Sequence, residues 1–111
     1  MRLIDAGSGR VLIEVDEPRG PLRRMRGLLG AADLPAGYGM LLRARHVHTI
    51  GMSFAIDAVY LSKQGSVLRV TTLPPGSIGP LVLSARFVLE LKAGEAHRLG
   101  ISTGTMLVRE E

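Results

Sequence analysis

The chain has no cysteine and no tryptophan, and aromatic residues make up only 4% of its 111 residues. Without cysteine it has no disulfide, no thiolate nucleophile, no iron–sulfur cluster and no cysteine-ligated zinc site. The scarcity of aromatic rings leaves few platforms on which bases could stack, which argues against nucleic-acid binding. These absences exclude several classes of function before any motif is considered.

Long hydrophobic runs are missing as well. Although 46% of the residues are hydrophobic, no apolar run approaches the roughly 20 residues that a membrane-spanning helix needs. The N-terminal residues reach Asp5 before the apolar segment of a signal peptide could form. We therefore expect no insertion into a membrane and a cytoplasmic location, which a cysteine-free composition suits.

Positive charge is concentrated in one stretch of the sequence. The net charge is +4 at pH 7. Between Pro18 and Ile56 the only acid is Asp33, against six arginines: Arg19, Arg23, Arg24, Arg26, Arg43 and Arg45. Arginine forms bidentate contacts with phosphate and carboxylate groups, although charged surface residues are commonly just solvated. An arginine-driven binder of phosphate or nucleic acid is therefore one alternative function.

Short apolar segments between glycine and proline turns predict a β-rich fold. Val11, Ile13 and Val15 alternate with Leu12, Glu14 and Asp16, as on a strand with one face in the core. Further strands are predicted near residues 2–6, 40–42, 58–62, 66–73, 87–91 and 105–109, with residues 46–54 extended and bent at Gly51. Many short strands with little helix favour a compact barrel or sandwich.

One short helix is predicted near Pro21–Leu29. Proline suits a first helical turn, apolar residues recur there at helical spacing, and Gly30 is a typical C-terminal stop. Residues 93–99 predict a further helical turn. The fold class is thus mostly β (α+β): a small compact β-barrel-like domain with one short helix, in which residues 1–111 form a single domain.

Two histidines raise the question of metal or hydrolytic chemistry. His46 and His48 are two residues apart on the predicted extended segment, so both imidazoles could face one side. Together with Asp57 they would supply two histidines and one carboxylate. Against a hydrolase, Thr49 points away from its neighbour His48, and no Gly-x-Ser-x-Gly elbow is present. A small metal-dependent or hydrolytic enzyme using His46, His48 and Asp57 is the second alternative.

Asp57 and Glu90 stand inside strongly apolar segments. A buried charge without a partner costs several kcal/mol, so we expect each carboxylate on a solvent face or paired, with Arg26 as the expected partner. The leading hypothesis is a non-catalytic accessory or binding domain. Its small polar pocket would hold a small polar or anionic ligand or a protein partner. The predicted binding residues are Arg26, His48, Met52, Asp57 and Glu90. We predict no catalytic residue, metal ligand or cofactor.

Four sequence blocks occur in an order that is specific when taken together. They are Arg24-Met25-Arg26-Gly27-Leu28, Gly39-Met40-Leu41, Met52-Ser53-Phe54-Ala55-Ile56-Asp57, and Leu89-Glu90-Leu91-Lys92-Ala93-Gly94 followed by Gly104-Thr105. The chain therefore resembles the domain of unknown function 192 family, in the branch with a His-Thr-x-Gly-Met motif. Ala55 stands where the family usually has proline, and Thr105 where it usually has aspartate.

The resemblance implies a small, mostly β, barrel-like domain with a short helix. It implies no activity, because none is established for the family. Function therefore has to be argued from the chemistry of the residues themselves.

Overall fold

The apolar segments form seven short strands and one helical turn in the described part of the chain. The computed structural model describes residues 1–17 and 33–110. The strands are β1 (Arg2–Asp5), β2 (Val11–Asp16), β3 (Tyr38–Leu42), β4 (Ile56–Leu61), β5 (Val67–Leu73), β6 (Phe87–Lys92) and β7 (Leu107–Glu110). The helix, α1 (Glu95–Arg98), lies within the helical turn predicted over residues 93–99. The helix predicted near Pro21–Leu29 lies outside the described residues.

The strands pair into one sheet that closes on itself. Their order is β5-β4-β6-β3-β2-β1-β7, and all neighbours are antiparallel except β2 and β3. The edge strands meet where the Val67 N–H donates to the Thr105 carbonyl (2.8 Å) and the Leu107 N–H to the Gly65 carbonyl (2.9 Å). The prediction of a mostly β, barrel-like domain is confirmed. No helix in the described residues is long and apolar enough to cross a bilayer.

Two hydrophobic cores lie on opposite faces of this sheet. The inner core takes buried residues from all seven strands and from α1: Leu3, Ile13, Val15, Leu41, Val59, Leu61, Val67, Leu89, Leu91, Ala96, Leu99, Ile101 and Leu107. The outer core takes strand residues from β3, β4, β5 and β6 only: Met40, Leu42, Ile56, Ala58, Tyr60, Leu73 and Val88. Loop residues complete the outer core: Leu34, Val47, Met52 and Ala85.

A pair of irregular segments covers the outer core. Residues 45–50 run antiparallel to residues 76–82, and we call this pair the loop ribbon. Four backbone hydrogen bonds join it: Gly76 N–H to Thr49 O (2.9 Å), Thr49 N–H to Ser77 O (2.8 Å), Gly79 N–H to Val47 O (2.8 Å) and Val82 N–H to Arg45 O (2.9 Å). Because buried Val47 and Thr49 alternate with exposed neighbours, one side of the ribbon packs on the core and the other faces solvent.

The predicted extended segment over residues 46–54 is only partly right. It contains no strand of the sheet, and its regular pairing is limited to an isolated bridge between His48 and Ile78. The predicted bend at Gly51 is confirmed: the Met52 N–H donates to the Thr49 carbonyl (3.0 Å) and Gly51 has a φ of 86°. Glycine adopts this positive φ without steric cost, as the third residue of a type II turn must.

Candidate functional site

Asp57 is buried inside the barrel, where its carboxylate holds neighbouring elements together. Its Oδ2 accepts hydrogen bonds from the backbone N–H groups of Gly94 and Ala96, both at 3.0 Å, and its Oδ1 accepts the Thr72 hydroxyl at 2.7 Å. The carboxylate thereby fixes the start of α1 against β4 and β5. Arg26, the expected partner, lies outside the described residues. Within the described residues, two backbone N–H groups and one hydroxyl compensate the burial of the Asp57 carboxylate, and no guanidinium does so.

Glu90 lies on the opposite face of the sheet. It stands between Met40 on β3 and Ala58 on β4, with only 4% of its surface exposed. Burial raises the pKa of Glu90 to about 7, because an ionised carboxylate loses its hydration there. Among the described side chains none donates a hydrogen bond to it. Asp57 and Glu90 therefore cannot work together as an acid and base pair.

His46, His48 and Asp57 do not form a metal site, so that hypothesis is wrong. Both histidines are exposed on the solvent side of the loop ribbon, whereas Asp57 is buried in the barrel. The His48 Nδ1 accepts the Ile50 N–H at 3.2 Å. Within residues 1–17 and 33–110, no group of three histidine, aspartate or glutamate side chains is placed to hold an ion.

The structure removes Thr49 as a nucleophile for the hydrolase hypothesis. Thr49 is fully buried, and its hydroxyl donates to the Pro74 carbonyl at 2.6 Å while accepting the Ser77 N–H at 2.8 Å. This hydroxyl therefore holds the two segments of the loop ribbon together and faces away from His48. The sequence argument that Thr49 cannot meet His48 is confirmed.

The structure brings some of the predicted binding residues together and separates others. His48 is exposed, Met52 is buried in the outer core, and Glu90 lies on the same outer face of the sheet. Asp57 points to the other face, and Arg26 lies outside the described residues. Asp57 is separated from Glu90 because Glu90 is paired with Ala58, the next residue along β4, and consecutive side chains on a strand point to opposite faces.

A basic groove lies beside the loop ribbon instead. It has a volume of about 550 Å³ and is lined by Arg43, Ala44, Arg45, His46, Leu81, Ala85 and Arg86. We call it the arginine groove. Backbone hydrogen bonds fix both of its walls: Ala44 N–H to Arg86 O (3.2 Å), Val82 N–H to Arg45 O (2.9 Å), Ala85 N–H to Val82 O (3.0 Å) and Arg86 N–H to Leu61 O (2.7 Å).

The ionisable side chains that line the arginine groove are all basic. Between Asp33 and Glu90 the only acidic residue is Asp57, whose carboxylate is buried in the barrel. None of the described carboxylates forms an ion pair with Arg43, Arg45 or Arg86. Three guanidinium groups thus line one concave surface with their charge uncompensated by the described carboxylates, which favours an anion there.

Sequence reasoning missed Arg86 and gave Arg43 and Arg45 no site. The long acid-free stretch was a readable signal, but the pairing of residues 43–46 with residues 81–86 is a tertiary feature. Sequence reasoning also missed Glu95, a buried carboxylate that accepts the Gly37 N–H at 2.7 Å and pairs with Arg98. The hydrogen bond from Arg98 lowers the pKa of Glu95 to about 2, so this charge ties α1 to the start of β3.

The chain matches a family of proteins and is similar to solved structures. The model of the family DUF192, described as "Uncharacterized ACR", matches residues 3–108. A protein of unknown function from Novosphingobium aromaticivorans DSM 12444 has a similar structure, with a TM-score of 0.82 and 20% identity. That match covers 97% of this chain and 84% of that one.

A second solved structure comes from Sinorhizobium meliloti 1021 and is described only provisionally as a transcription regulator. Its TM-score is 0.76 and its identity 29%, over 96% of this chain and 89% of that one. The comparison with curated proteins found no match. These likenesses agree with the observed fold.

Proposed function

Since the chain belongs to the DUF192 family, whose description assigns no activity, we propose its function from the geometry: a non-catalytic binding domain whose arginine groove holds an anionic group. The observation that carries the proposal is the set of three arginines around one concavity, none paired with a described carboxylate. Phosphate and carboxylate are the groups that guanidinium binds in bidentate fashion.

The rigidity of the groove supports this proposal. Arg43 follows directly after β3, and Arg86 directly precedes β6, so two adjacent paired strands hold their backbones. A preorganised set of donors loses less conformational entropy on binding than donors on a mobile loop. His48, one of the sequence-predicted binding residues, lies two residues beyond His46 on the same exposed side of the ribbon. We place the domain in the cytoplasm as part of the same proposal, because its cysteine-free composition suits a reducing compartment.

Titration of the purified protein with inorganic phosphate and pyrophosphate at low ionic strength tests this function. Ligand binding to the folded state raises Tm, by an amount that corresponds to about 2.7 kcal/mol when the ligand reaches about 100 times its Kd. We expect the rise to shrink as chloride is added, since exposed charges are screened by salt.

The triple variant Arg43→Gln/Arg45→Gln/Arg86→Gln should lose the rise in Tm. Arg10→Gln is the matched control, because its guanidinium bonds the Leu99 carbonyl next to α1, at the opposite end of β6 from Arg86. An equal rise in the triple variant, or no rise in the wild type at low salt, would refute the proposal.

A further inference from the structure

Four large aliphatic side chains are exposed beside the arginine groove. Ile50 is 50% exposed, Ile78 73%, Leu81 61% and Leu83 75%. We call these four residues the apolar rim. Exposed apolar side chains that are grouped together mark interaction surfaces more often than single ones do, so these four residues call for a reason.

All four residues of the apolar rim lie on the solvent side, and two of them, Ile50 and Leu83, lie in turns. Ile50 is the second residue of the turn closed by Met52 N–H and Thr49 O, and Leu83 is the second residue of the turn closed by Ala85 N–H and Val82 O. Ile78 forms the isolated bridge with His48. Since half-buried Val82 packs on the outer core, its neighbours Leu81 and Leu83 point away from it.

The apolar rim is continuous with the arginine groove. Leu81 lines the groove itself, and the backbone of Val82 is bonded to that of Arg45. One surface therefore presents protruding aliphatic groups next to three guanidinium groups. None of the described residues that line the groove or form the rim is an acid.

We propose that this surface docks on an anionic phospholipid membrane, with the apolar rim in the interface and a lipid phosphate in the arginine groove. The inference rests on the proposed function and specifies that the anion in the arginine groove is a lipid phosphate. Peripheral proteins bind such membranes by combining buried apolar area with attraction to anionic headgroups.

Charge complementarity favours a membrane over a protein partner. A protein surface carries both signs of charge, whereas an anionic leaflet is uniformly negative and matches a surface with no acid among its described residues. Protein interfaces are anchored by tryptophan and tyrosine as well as arginine. The chain has no tryptophan, and Tyr60, the tyrosine next to the ribbon, is fully buried. Protruding aliphatic side chains suit a fluid apolar phase that needs no matching pockets.

Vesicle co-sedimentation tests the inference. We expect the wild-type protein to sediment with vesicles of equimolar phosphatidylglycerol and phosphatidylcholine, and to remain in solution with phosphatidylcholine alone. Each arginine near an anionic surface contributes about fivefold to partitioning, so the triple arginine variant should lose sedimentation and the phosphate response together.

The double variant Ile78→Ser/Leu83→Ser, at two rim residues that do not line the arginine groove, separates the membrane from a soluble anion. It should lose at least tenfold in partitioning while the rise in Tm with inorganic phosphate is kept. The matched control is Val11→Ser/Val108→Ser, which removes two exposed aliphatic side chains elsewhere on the barrel. Val11 on β2 and Val108 on β7 are both paired with Ile4 of β1. This control should partition like the wild type.

Each contrary result has a distinct meaning. Phosphate binding without vesicle binding overturns the membrane inference and leaves the proposed function standing. If the wild-type protein binds neither phosphate nor vesicles, both the proposed function and the membrane inference are overturned. Equal partitioning of the two double variants also overturns the inference. A wild-type dimer that becomes a monomer on Ile78→Ser/Leu83→Ser, with no vesicle binding, would overturn the inference and assign the surface to a second copy of the chain.

Discussion

Ala58 lies directly opposite Glu90 in the sheet, and Asp57 is its neighbour along β4. Because consecutive side chains on a strand point to opposite faces, Asp57 enters the barrel while Glu90 enters the outer core. Asp57 meets two backbone N–H groups and a hydroxyl. Glu90 meets an apolar face, and burial raises its pKa to about 7. The residues differ in role because of their surroundings rather than their chemistry.

The raised pKa of Glu90 predicts a specific dependence of stability on pH. Its ordinary pKa is 4.5 and its folded pKa is about 7, so its favourable contribution is complete below 4.5 and is lost as the pH rises to about 7. Glu90→Gln should therefore increase the free energy of unfolding by about 3 kcal/mol at pH 8 and change it little at pH 4. Urea unfolding of both proteins across this range measures the difference, and a constant difference at every pH would contradict the raised pKa.

The sequence singled out both acids, but it indicated neither the partners of Asp57 nor the apolar surroundings of Glu90. Carboxylates inside apolar segments stand out in any sequence, and a buried charge demands compensation. The Asp57 partners Gly94 and Ala96 are backbone groups at the start of a four-residue helix, and backbone donors leave no mark in composition. The strand face of each acid depends on the exact register, which a shift of one residue reverses.

The loop ribbon is the element that carries the candidate site. Its solvent side presents the arginine groove and the apolar rim, while Val47 and Gly79 face the core on its inner side. Gly79 lies so close to the Val47 carbonyl and the Tyr60 hydroxyl that an added Cβ would be 2.8 and 2.9 Å from them. The ribbon is therefore packed against the sheet without room for adjustment.

Thr49→Val should loosen the ribbon while the barrel stays closed. The valine side chain fills the same space but leaves the Pro74 carbonyl and the Ser77 N–H without the hydroxyl, a loss of about 2 kcal/mol. Amide hydrogen exchange of Gly79 and Val82 should accelerate relative to amides of β6. Thr49→Ser, which keeps the hydroxyl, is the control and should retain most of the protection. Unchanged exchange in the valine variant would mean that the backbone bonds alone hold the ribbon.

Element by element, periodicity predicted the strands better than the ribbon. Alternation along β2 is readable because Ile13 and Val15 enter the inner core while Glu14 stays exposed, whereas β6 is buried on both faces. Residues 45–50 show the same alternation, but their partners in residues 76–82 contain glycine and proline and form no regular ladder. The same alternation therefore occurs in a segment that is extended but belongs to no strand of the sheet.

At the scale of the molecule, the closure between β5 and β7 turns a sheet into a barrel. It depends on close backbone approach at Gly65, which has a φ of 95°, and where an added Cβ would lie 2.1 Å from the Leu107 carbonyl oxygen. The barrel-like fold was predictable from many short strands and from the family resemblance. The order of strands, with its single parallel pair, required the structure.

Gly65→Ala should weaken this closure by more than the cost of its backbone conformation alone. Gly104→Ala is the matched control, since Gly104 has a φ of 94° and nothing within 4 Å of an added Cβ. We expect about 1 kcal/mol for Gly104→Ala and about 3 kcal/mol for Gly65→Ala, because the clash forces β7 to move. Chemical denaturation measures both values. Equal losses would show that the edges of the sheet have room to separate.

Tyr60 gives the whole molecule an optical property. It is one of two tyrosines in a chain without tryptophan, and its buried hydroxyl donates to the Pro80 carbonyl of the ribbon at 2.7 Å. Ultraviolet emission therefore comes from Tyr38 and Tyr60 alone, with no indole to receive their excitation energy. In a Tyr38→Phe background, Tyr60 reports on the contact between sheet and ribbon through its own fluorescence. Ligand or membrane binding at the opposite side of the ribbon can then be followed without an attached dye.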